Sequence, residues 1–375
     1  MFQCSTSGWI LLPNIAPAFW SFLKKSEGKS KPKVLPPDLA QKALKLLSEG
    51  NSFIITSHVN PEGDAIGSML AMGLVLAGMG KQVSMVLQDP IPQIYHFLPA
   101  CRRVKQPPID AQQEASPNVQ ESFDTAVVVD CEGINRVGRR VVPLVQSASR
   151  LLVIDHHPAE APFGDVEIRD PSAAAAGELV YLLLKQWNYH LTPEIAECLL
   201  TAVLVDTGGF RYSNTSPRAL RVAAELVDLG ANFTRVVTEI FENKPVSSIK
   251  LMGRALAAMQ TTPDGLVAYS TLTREDFDLA GAVDNETEGI VNQLLFASGA
   301  KASALFRETR DGIRVSLRSR EGVDVNRVAR AFGGGGHVRA SGCTLNAPLA
   351  EAVNSVLAEI AKQTALSTAE TPSHE

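Results

Sequence analysis

The sequence predicts an α/β fold in two parts: an N-terminal doubly wound domain with a parallel sheet, and a smaller α+β domain after it. Several short runs are continuously apolar and rich in Val, Ile and Leu, as strands covered on both faces of a parallel sheet are. Segments with helical spacing separate these runs, and such alternation is typical of doubly wound sheets. The length of 375 residues accommodates two domains of ordinary size.

The first domain is predicted to cover residues 37–230. Its β-rich runs span 53–56, 83–87, 125–129 and 151–154. Its helical stretches span 40–48, 65–80, 177–187 and 193–205. A segment rich in Pro, Gln and Ser, 107–119, is predicted to be an exposed loop.

A helical connector over 231–260 leads into the second domain, 261–365. The predicted elements of this domain are strands over 266–271, 301–308 and 313–318, and helices over 286–297 and 325–332. Four glycines and a histidine follow at 333–337. The polar tail, 366–375, is predicted to lie outside the fold.

Residues 1–36 form an extension that is predicted to be disordered. Its apolar part is interrupted by Pro13 and Pro17, and no basic residue precedes it, which argues against a secretory signal. A membrane span needs about 20 apolar residues, so stable membrane insertion is not expected. An anchor at a membrane surface is the alternative for this segment.

The net charge and the cysteine content exclude several classes of substrate and site. The net charge of −5 provides no overall positive field for long or duplex nucleic acid, so a nucleotide substrate has to be small and held locally. The five cysteines are scattered and none forms a Cys-x-x-Cys pair, which argues against disulfides and a thiolate zinc site. The expected location is therefore the cytoplasm.

Three predicted strands of the first domain end directly in acidic or imidazole side chains. The polar segment 57–64 follows the first, Asp130 follows the second, and the segment 155–157 follows the third. Asp206 ends an apolar helix in the same domain. A single Asp after a strand is more often a helix cap. However, ligands of open parallel sheets bind beyond the carboxyl ends of the strands, so the combination predicts one metal site.

Carboxylates and imidazoles without thiolates suit Mn²⁺ or Mg²⁺ better than structural zinc. Two such ions about 3.5–4 Å apart clamp a phosphate and activate a water for in-line attack. Because convergent carboxylates repel one another, bound cations are close to a physical requirement. We predict two Mn²⁺ ions, with Mg²⁺ as the alternative.

The same segments resemble the motifs of a known family. Residues 58–64, Asp130, 155–157 and Asp206 resemble the four motifs of the DHH phosphoesterase superfamily, and 333–342 resembles the glycine-rich motif of its DHHA1 domain. Within this superfamily the chain is most similar to the nano-RNases that also remove the 3′-phosphate from phosphoadenosine phosphate. The resemblance implies the DHH–DHHA1 fold and a metal-dependent phosphoesterase.

The resemblance also implies roles for individual residues of the first domain. It implies two sets of metal ligands that share one bridging carboxylate: His58, Glu62 and Asp130 for the first ion, and Asp64, Asp130, His156 and Asp206 for the second. Asp155 and His157 would orient the ligands or act on the substrate, so that Asp130, Asp155 and His157 form the catalytic set. The family usually has Asp where this chain has Glu62, which is one methylene longer.

In the second domain the resemblance implies a substrate-binding set that closes over the active site: Asn292, Arg318, Ser319, Arg320, Gly335, Gly336, His337 and Arg339. Successive glycines let backbone amides approach a phosphate closely, and arginine matches phosphate geometry. The structural alternatives are a flexible turn for the glycines, a solvated strand end for the arginines and a helix-surface residue for Asn292.

The leading hypothesis is therefore hydrolysis of very short RNA or DNA oligonucleotides, together with phosphoadenosine phosphate. Linear dinucleotides from cyclic dinucleotide turnover are an alternative main substrate. An inorganic pyrophosphatase would carry a different second domain, and a long-chain exonuclease would need further domains. A nucleotide-sensing protein with an inactive site is the alternative from another class. Assembly into a homodimer is left open.

Overall fold

The computed structural model describes residues 35–107, 123–158, 161–284 and 286–369. The chain divides into two compact units, Met1–Glu242 and Asn243–Glu375. Residues 1–34 of the predicted extension, most of the predicted loop at 107–119 and the last six residues lie outside the described residues. Within the described ranges, no helix has both the length and the apolar character that a membrane span requires.

The first unit contains a five-stranded sheet in which every pairing is parallel. Its strands are β1 Ser52–Thr56, β2 Gln82–Met85, β3 Thr125–Val129, β4 Arg150–Asp155 and β5 Val166–Arg169. Their order across the sheet is β2–β1–β3–β4–β5. Alternate residues of β3 enter two different apolar cores, Val127 on one face and Val128 on the other. The predicted doubly wound parallel-sheet domain is confirmed.

Helices of the first unit alternate with these strands. They are α1 Pro37–Glu49, α2 Gly63–Gly78, α3 Val142–Gln146, α4 Ala176–Gln186, α5 Pro193–Asp206, α6 Pro217–Asp228 and α7 Phe233–Val237. A single π-helical turn, Thr238–Glu242, ends the unit. The unit boundary thus lies inside the predicted connector, 231–260.

The second unit contains a mixed six-stranded sheet. Its strands are β6 Gln260–Thr261, β7 Val267–Leu272, β8 Ala302–Thr309, β9 Gly312–Ser319, β10 Gly335–His337 and β11 Ala340–Leu345. Their order is β10–β11–β9–β8–β7–β6, and only the β7–β8 pairing is parallel. This agrees with the predicted smaller α+β domain.

Helices cover both faces of the second sheet. They are α8 Val246–Ala257, α9 Arg274–Ala280, α10 Ile290–Leu294, α11 Val325–Ala331 and α12 Leu349–Ala369. The first three contribute to one apolar core, and the last two contribute to the core on the opposite face. Helix α10 is shorter than the predicted helix over 286–297, because Gly289 before it is left-handed, with φ of 82°. Helix α12 continues to Ala369, beyond the predicted start of the tail.

Candidate metal centre

Four side chains from separate parts of the first unit meet at the carboxyl edge of its sheet. Asp130 directly follows β3 and His156 directly follows β4. Asp64 lies in the first turn of α2, and Asp206 is the last residue of α5. Strands of a parallel sheet end at the same edge, so residues distant in sequence converge there.

The close approach of α2 and α5 depends on glycine. A Cβ atom on Gly63 would lie 2.3 Å from Cγ2 of Val205, and one on Gly67 would lie 2.3 Å from a carbonyl oxygen of α5. Larger side chains at these positions would push the helices apart. This packing brings Asp64, at the start of α2, to Asp206, at the end of α5.

One donor group combines Asp64, His156 and Asp206, whose ligand atoms lie within 4.8 Å of one another. Nε2 of His156 is 3.7 Å from Oδ2 of Asp64 and 3.2 Å from Oδ2 of Asp206. Asp64 is fully buried, and its carboxylate accepts hydrogen bonds from the backbone amides of Ala176 and Gly177. These bonds fix the carboxylate and reduce the cost of burying its charge.

A second donor group combines Asp130, His156 and His157, so His156 belongs to both groups. Oδ1 of Asp130 lies 3.5 Å from a ring nitrogen of each of these histidines, and Oδ2 lies 3.5 Å from Nε2 of His58. Asp130 is buried and has a left-handed backbone, with φ of 51°. A positive φ is uncommon outside glycine, although aspartate adopts it more often than most residues, and such conformations cluster at functional sites.

Asp155 lies behind His157, and it belongs to neither donor group of the described residues. Its Oδ1 accepts a hydrogen bond of 2.8 Å from Nδ1 of His157, and its Oδ2 is paired with Nη1 of Arg169. In the neutral imidazole, this bond assigns the proton to Nδ1 and leaves Nε2 as the acceptor nitrogen. Arg169 was not predicted, because strand β5 was not recognised in the sequence.

Burial and mutual charge shift the pKa values of the site. Burial raises the pKa of Asp64 to about 7, and the charge of Asp130 adds to this effect. Burial and the charge of Asp64 also raise the pKa of Asp206. Burial alone would lower the pKa of the imidazoles, but their interaction with the Asp130 carboxylate and the charges of the neighbouring carboxylates together outweigh it, and they raise the pKa of His156 to about 11 and that of His58 to about 9. In the absence of a cation, the cluster holds protons that a divalent ion would displace.

The donor set fits a divalent cation. Oδ1 of Asp130 is buried and has no hydrogen-bond partner within the part of the chain that the structure describes. Buried carboxylate oxygens are normally bonded, so this atom is suited to a ligand. Both groups present only carboxylate oxygens and imidazole nitrogens, which suit Mn²⁺ and Mg²⁺ and also accept Zn²⁺.

Two predicted ligands, His58 and Glu62, lie beside these groups. Glu62 is an exposed residue directly before α2, and neither it nor His58 joins a three-residue donor group among the described residues. Beyond burial and the nearer carboxylates, the negative charge of Glu62 contributes to the raised pKa values of His58 and Asp206. Glu62 is therefore close enough to act on both residues electrostatically.

A polar network that the sequence did not reveal holds the loop before α4. The Ala173 carbonyl of this loop lies 3.3 Å from Nδ1 of His156, and the loop ends in the amides that bind Asp64. Glu178 is fully buried, accepts a hydrogen bond from the loop backbone at 2.8 Å and is paired with Nε of Arg218. The two partners are 40 residues apart, and no local pattern indicates their pairing.

In the second unit, the predicted substrate-binding residues other than Asn292 lie in or next to strands β9, β10 and β11. Arg318 pairs in register with Ala340, and Ala340 pairs with His337, so the three residues form one row across three strands. Arg318 is half-buried, and its Nη1 donates to the carbonyl oxygen of Leu317 at 2.9 Å.

Several other predicted residues make contacts that hold the fold. The hydroxyl of Ser319 donates to a backbone carbonyl at 2.7 Å, and its amide donates to the carbonyl of Arg339 at 3.1 Å. Nη2 of Arg320 donates to the carbonyl of Leu295 at 2.9 Å. Asn292 lies half-buried in α10.

The glycines of 333–336 have different surroundings. A Cβ atom on Gly334 would lie 2.2 Å from the carbonyl oxygen of Gly342, and one on Gly336 would lie 2.6 Å from that of Ala340. No described atom lies within 4 Å of a Cβ built on Gly335. Gly334 and Gly336 are therefore needed for β10 to approach β11, whereas Gly335 borders open space.

Two family models match the chain. The model of the DHH family, N-terminal domain, matches residues 52–203. The model of the DHHA1 domain matches residues 267–365. The matches fall in the first and second unit respectively, in the order that the motifs predict.

Curated relatives and a solved structure are similar over most of the chain. The bifunctional oligoribonuclease and PAP phosphatase NrnA of Thermus thermophilus is 35% identical over 297 residues, which cover 79% of this chain and 85% of that protein. The protein of the same name from Bacillus subtilis is 27% identical, covering 80% and 92%. An exopolyphosphatase-related protein from Bacteroides fragilis has a TM-score of 0.84 at 27% identity, covering 90% of this chain and 100% of that one. The predicted resemblance is confirmed: the chain belongs to the DHH family, with an N-terminal DHH domain followed by a DHHA1 domain.

Proposed function

We propose that this chain is a metal-dependent phosphoesterase that hydrolyses very short RNA or DNA oligonucleotides and removes the 3′-phosphate of phosphoadenosine phosphate. Membership of the DHH family supports the reaction class, and the relatives from T. thermophilus and B. subtilis are named for these two activities. The observation that carries the proposal is the pair of donor groups that share His156, one with Asp130 and His157 and the other with Asp64 and Asp206. An inactive sensor would not need these donors to converge.

Two divalent cations, Mn²⁺ or Mg²⁺, would polarise the phosphate and generate the attacking nucleophile from water. We assign one ion to Asp64, Asp130, His156 and Asp206, and the other to His58, Glu62 and Asp130. The donor group of Asp64, His156 and Asp206, with Asp130 at 3.5 Å from His156, supports the first assignment. The family resemblance and the contact between His58 and Asp130 support the second.

In this proposal His157 is the side chain that transfers a proton to or from the substrate. Asp155 holds Nδ1 of His157, so Nε2 is the nitrogen that exchanges a proton with the substrate. Arg169 pairs with the other oxygen of Asp155. The carboxylate is thereby kept as an orienting group and does not compete for a cation.

The second domain, 261–365, is assigned to binding the part of the substrate that does not react, and the first, 37–230, to the chemistry. Arg318 and Arg320 offer guanidinium groups, which match phosphate oxygens in geometry. The row formed by Arg318, Ala340 and His337, together with the open space beside Gly335, supports this assignment.

The experiment that tests the proposal is a hydrolysis panel. The purified enzyme is stripped with EDTA and assayed with a dinucleotide, phosphoadenosine phosphate and pyrophosphate, without metal and after addition of Mn²⁺, Mg²⁺ or Zn²⁺. We expect hydrolysis of the first two substrates, abolished by chelation and restored by Mn²⁺ or Mg²⁺. Full activity of the chelated enzyme, or cleavage of pyrophosphate alone, would overturn the proposal.

A further inference from the structure

We infer that Arg307 and Arg314 form an anion-binding site on the sheet of the second unit, and that it holds a backbone phosphate of substrates longer than a dinucleotide. The inference rests on the proposed function, since it adds a subsite to the same enzyme. Neither arginine belongs to the segments on which the family resemblance is based.

The two arginines are direct neighbours on adjacent strands. Arg307 of β8 pairs in register with Arg314 of β9. Residues paired in this way point to the same face of a sheet, with Cβ atoms about 4.5–5.5 Å apart, and like charges there are destabilising. A bound anion between or beside the guanidinium groups would remove the repulsion.

Arg307 is a buried cation whose hydrogen bonds go to neutral groups. Only 7% of its surface is exposed. Its Nη1 donates to the carbonyl oxygen of Asp284 at 3.2 Å and to the hydroxyl of Thr287, while its buried Nε lacks a hydrogen-bond partner among the described residues. The carboxylate of Asp284 is instead bound by Arg274. Burial and the charge of Arg314 lower the pKa of Arg307 to about 10, which the charge of Asp284 offsets only in part.

The face that carries both arginines is accessible along β9. Val315 and Leu317 point into the opposite core, so the residues that alternate with them, Arg314, Ser316 and Arg318, lie on this face. Arg314 is exposed, and the other two are half-buried. The neighbouring strand β11 adds only small residues near Arg318, since its register partners there include Ala340 and Gly342. A strip with two arginines and a serine, bordered by small residues, suits an extended phosphodiester backbone.

The spacing along β9 separates the new site from the predicted one. Arg314 and Arg318 are four residues apart, which corresponds to about 13 Å between their Cα atoms at 3.3 Å per residue. With Arg318 on a phosphate of the shortest substrate, Arg314 is left for a phosphate further along a longer chain. Arg314 therefore contributes to the binding of longer substrates only, whereas Arg318 contributes to the binding of all substrates.

The test compares Arg314→Ala with a matched control over substrates of two to five nucleotides. Arg327→Ala removes the same charge from α11, where the side chain is 70% exposed, on a helix that packs against the opposite face of the sheet. We expect Arg314→Ala to leave kcat/KM for the dinucleotide within about twofold and to raise KM for the pentanucleotide about tenfold, as a charged phosphate contact warrants. Arg314→Lys should retain most of the affinity, and the loss should shrink at high salt.

A second readout separates this inference from the proposed function. Binding of a fluorescent pentanucleotide to the chelated full-length enzyme is measured by anisotropy, with inorganic phosphate as competitor. If no oligonucleotide is hydrolysed, the proposed function fails, yet weaker binding by Arg314→Ala still supports the subsite. Equal losses for two and five nucleotides, unchanged pentanucleotide binding, or the same loss in Arg327→Ala would each overturn the inference.

Discussion

At the scale of single residues, Asp130 is the carboxylate of the candidate metal centre that lies beside three imidazoles. Its two oxygens lie 3.5 Å from nitrogens of His58, His156 and His157, and its backbone adopts a conformation that few residues tolerate. Replacing Asp130 by Asn keeps its shape and removes its charge. We expect kcat for a dinucleotide to fall about 100-fold or more, because both ions lose a ligand.

The fold of Asp130→Asn should survive, because the two side chains have nearly the same volume and the substitution opens no cavity. The control is therefore the thermal unfolding midpoint of the metal-free protein, compared with that of the unmodified enzyme. A folded variant that keeps more than about a tenth of the activity would refute the assignment of Asp130 as the shared ligand.

Glu62 is the residue at which the chain departs from the usual family motif. Its charge acts on His58 and Asp206, although its side chain is exposed. We expect Glu62→Gln to raise the Mn²⁺ concentration for half-maximal activity about tenfold, because a ligand charge is lost. Glu62→Asp should keep substantial activity. Mn²⁺ titrations in which both variants match the unmodified enzyme would show that Glu62 is not a ligand.

Part of this site can be predicted from the sequence, because its ligands lie at the end or start of recognisable elements: Asp64, Asp130, His156 and Asp206. Other contributors are not. Arg169 binds Asp155 from 14 residues away, and Arg218 binds Glu178 from 40 residues away. Such pairs are set by the packing of whole elements, and a single sequence carries no local signal for them.

At the scale of elements, helix α6 fixes the loop between β5 and α4 through Arg218. This arginine is paired with Glu178 and donates to Asp170 at 3.0 Å, so it holds both ends of the loop. The loop backbone in turn contacts Asp64 and His156. We expect Arg218→Ala to lower kcat and the affinity for Mn²⁺ by about 10- to 100-fold, as is typical when groups that orient metal ligands are lost.

The matched control is Arg221→Ala, which removes an exposed arginine from the same helix. Mn²⁺ titrations and the KM for a dinucleotide are measured for both variants and for Arg218→Lys, which should recover part of the loss. If Arg218→Ala only lowers the unfolding midpoint and leaves the Mn²⁺ affinity intact, the residue supports the fold and does not position the ligands.

A pair of matched substitutions is available at the start of the edge strand β10, where Gly334 directly precedes the strand and Gly335 is its first residue. A methyl group on Gly334 would collide with the backbone of Gly342, whereas one on Gly335 would meet open space. We expect Gly334→Ala to lower stability by about 1–3 kcal/mol, measured by denaturant unfolding, and Gly335→Ala to leave it nearly unchanged. A raised KM for a dinucleotide in Gly335→Ala would then report on substrate binding alone. Equal stability of the two variants would contradict this packing.

The elements differ in how well the sequence predicts them. Strand β3 occupies the predicted residues, because a continuous apolar run bounded by polar residues has a single interpretation. Strand β10 was not predicted, because consecutive glycines resemble a turn and only pairing with β11 makes them extended. Strand β5 was missed because a four-residue edge strand, Val166–Arg169, carries too short a pattern.

At the scale of the whole molecule, the order of the two domains follows from the change of pattern after residue 260. Alternating strands and helices predict the parallel sheet, and the consecutive strand-like runs between helices predict the smaller α+β domain. The exact boundary, between Glu242 and Asn243, could not be predicted, because helical residues lie on both sides of it. The π-helical turn that ends the first unit has no clear sequence signature.

The charged cluster of the first unit links global stability to pH. The pKa of Asp64 is raised from 3.8 to about 7, so the folded state holds a proton that the unfolded state releases. This contribution to stability is complete below pH 4 and is lost as the pH rises through 7. The pKa values of His58 and His156 are raised from 6.5 to about 9 and about 11, so their contributions also fall as the pH rises above 6.5.

A bound cation should reverse this trend, because it replaces the protons and neutralises the carboxylates. We therefore expect the metal-free protein to lose stability from pH 6 to 8.5, and the increase in unfolding temperature caused by saturating Mn²⁺ to grow over the same range. At a fixed metal concentration, each tenfold gain in Mn²⁺ affinity adds about 1.4 kcal/mol to the free energy of unfolding. For a unit of this size, that raises the unfolding temperature by roughly 2–4 °C. The measurement is a thermal scan in EDTA and in Mn²⁺ at several pH values, with Asp130→Asn as the variant whose Mn²⁺ response should be small. A metal-induced shift that stays constant or shrinks with rising pH would mean that the cation does not displace protons from this cluster.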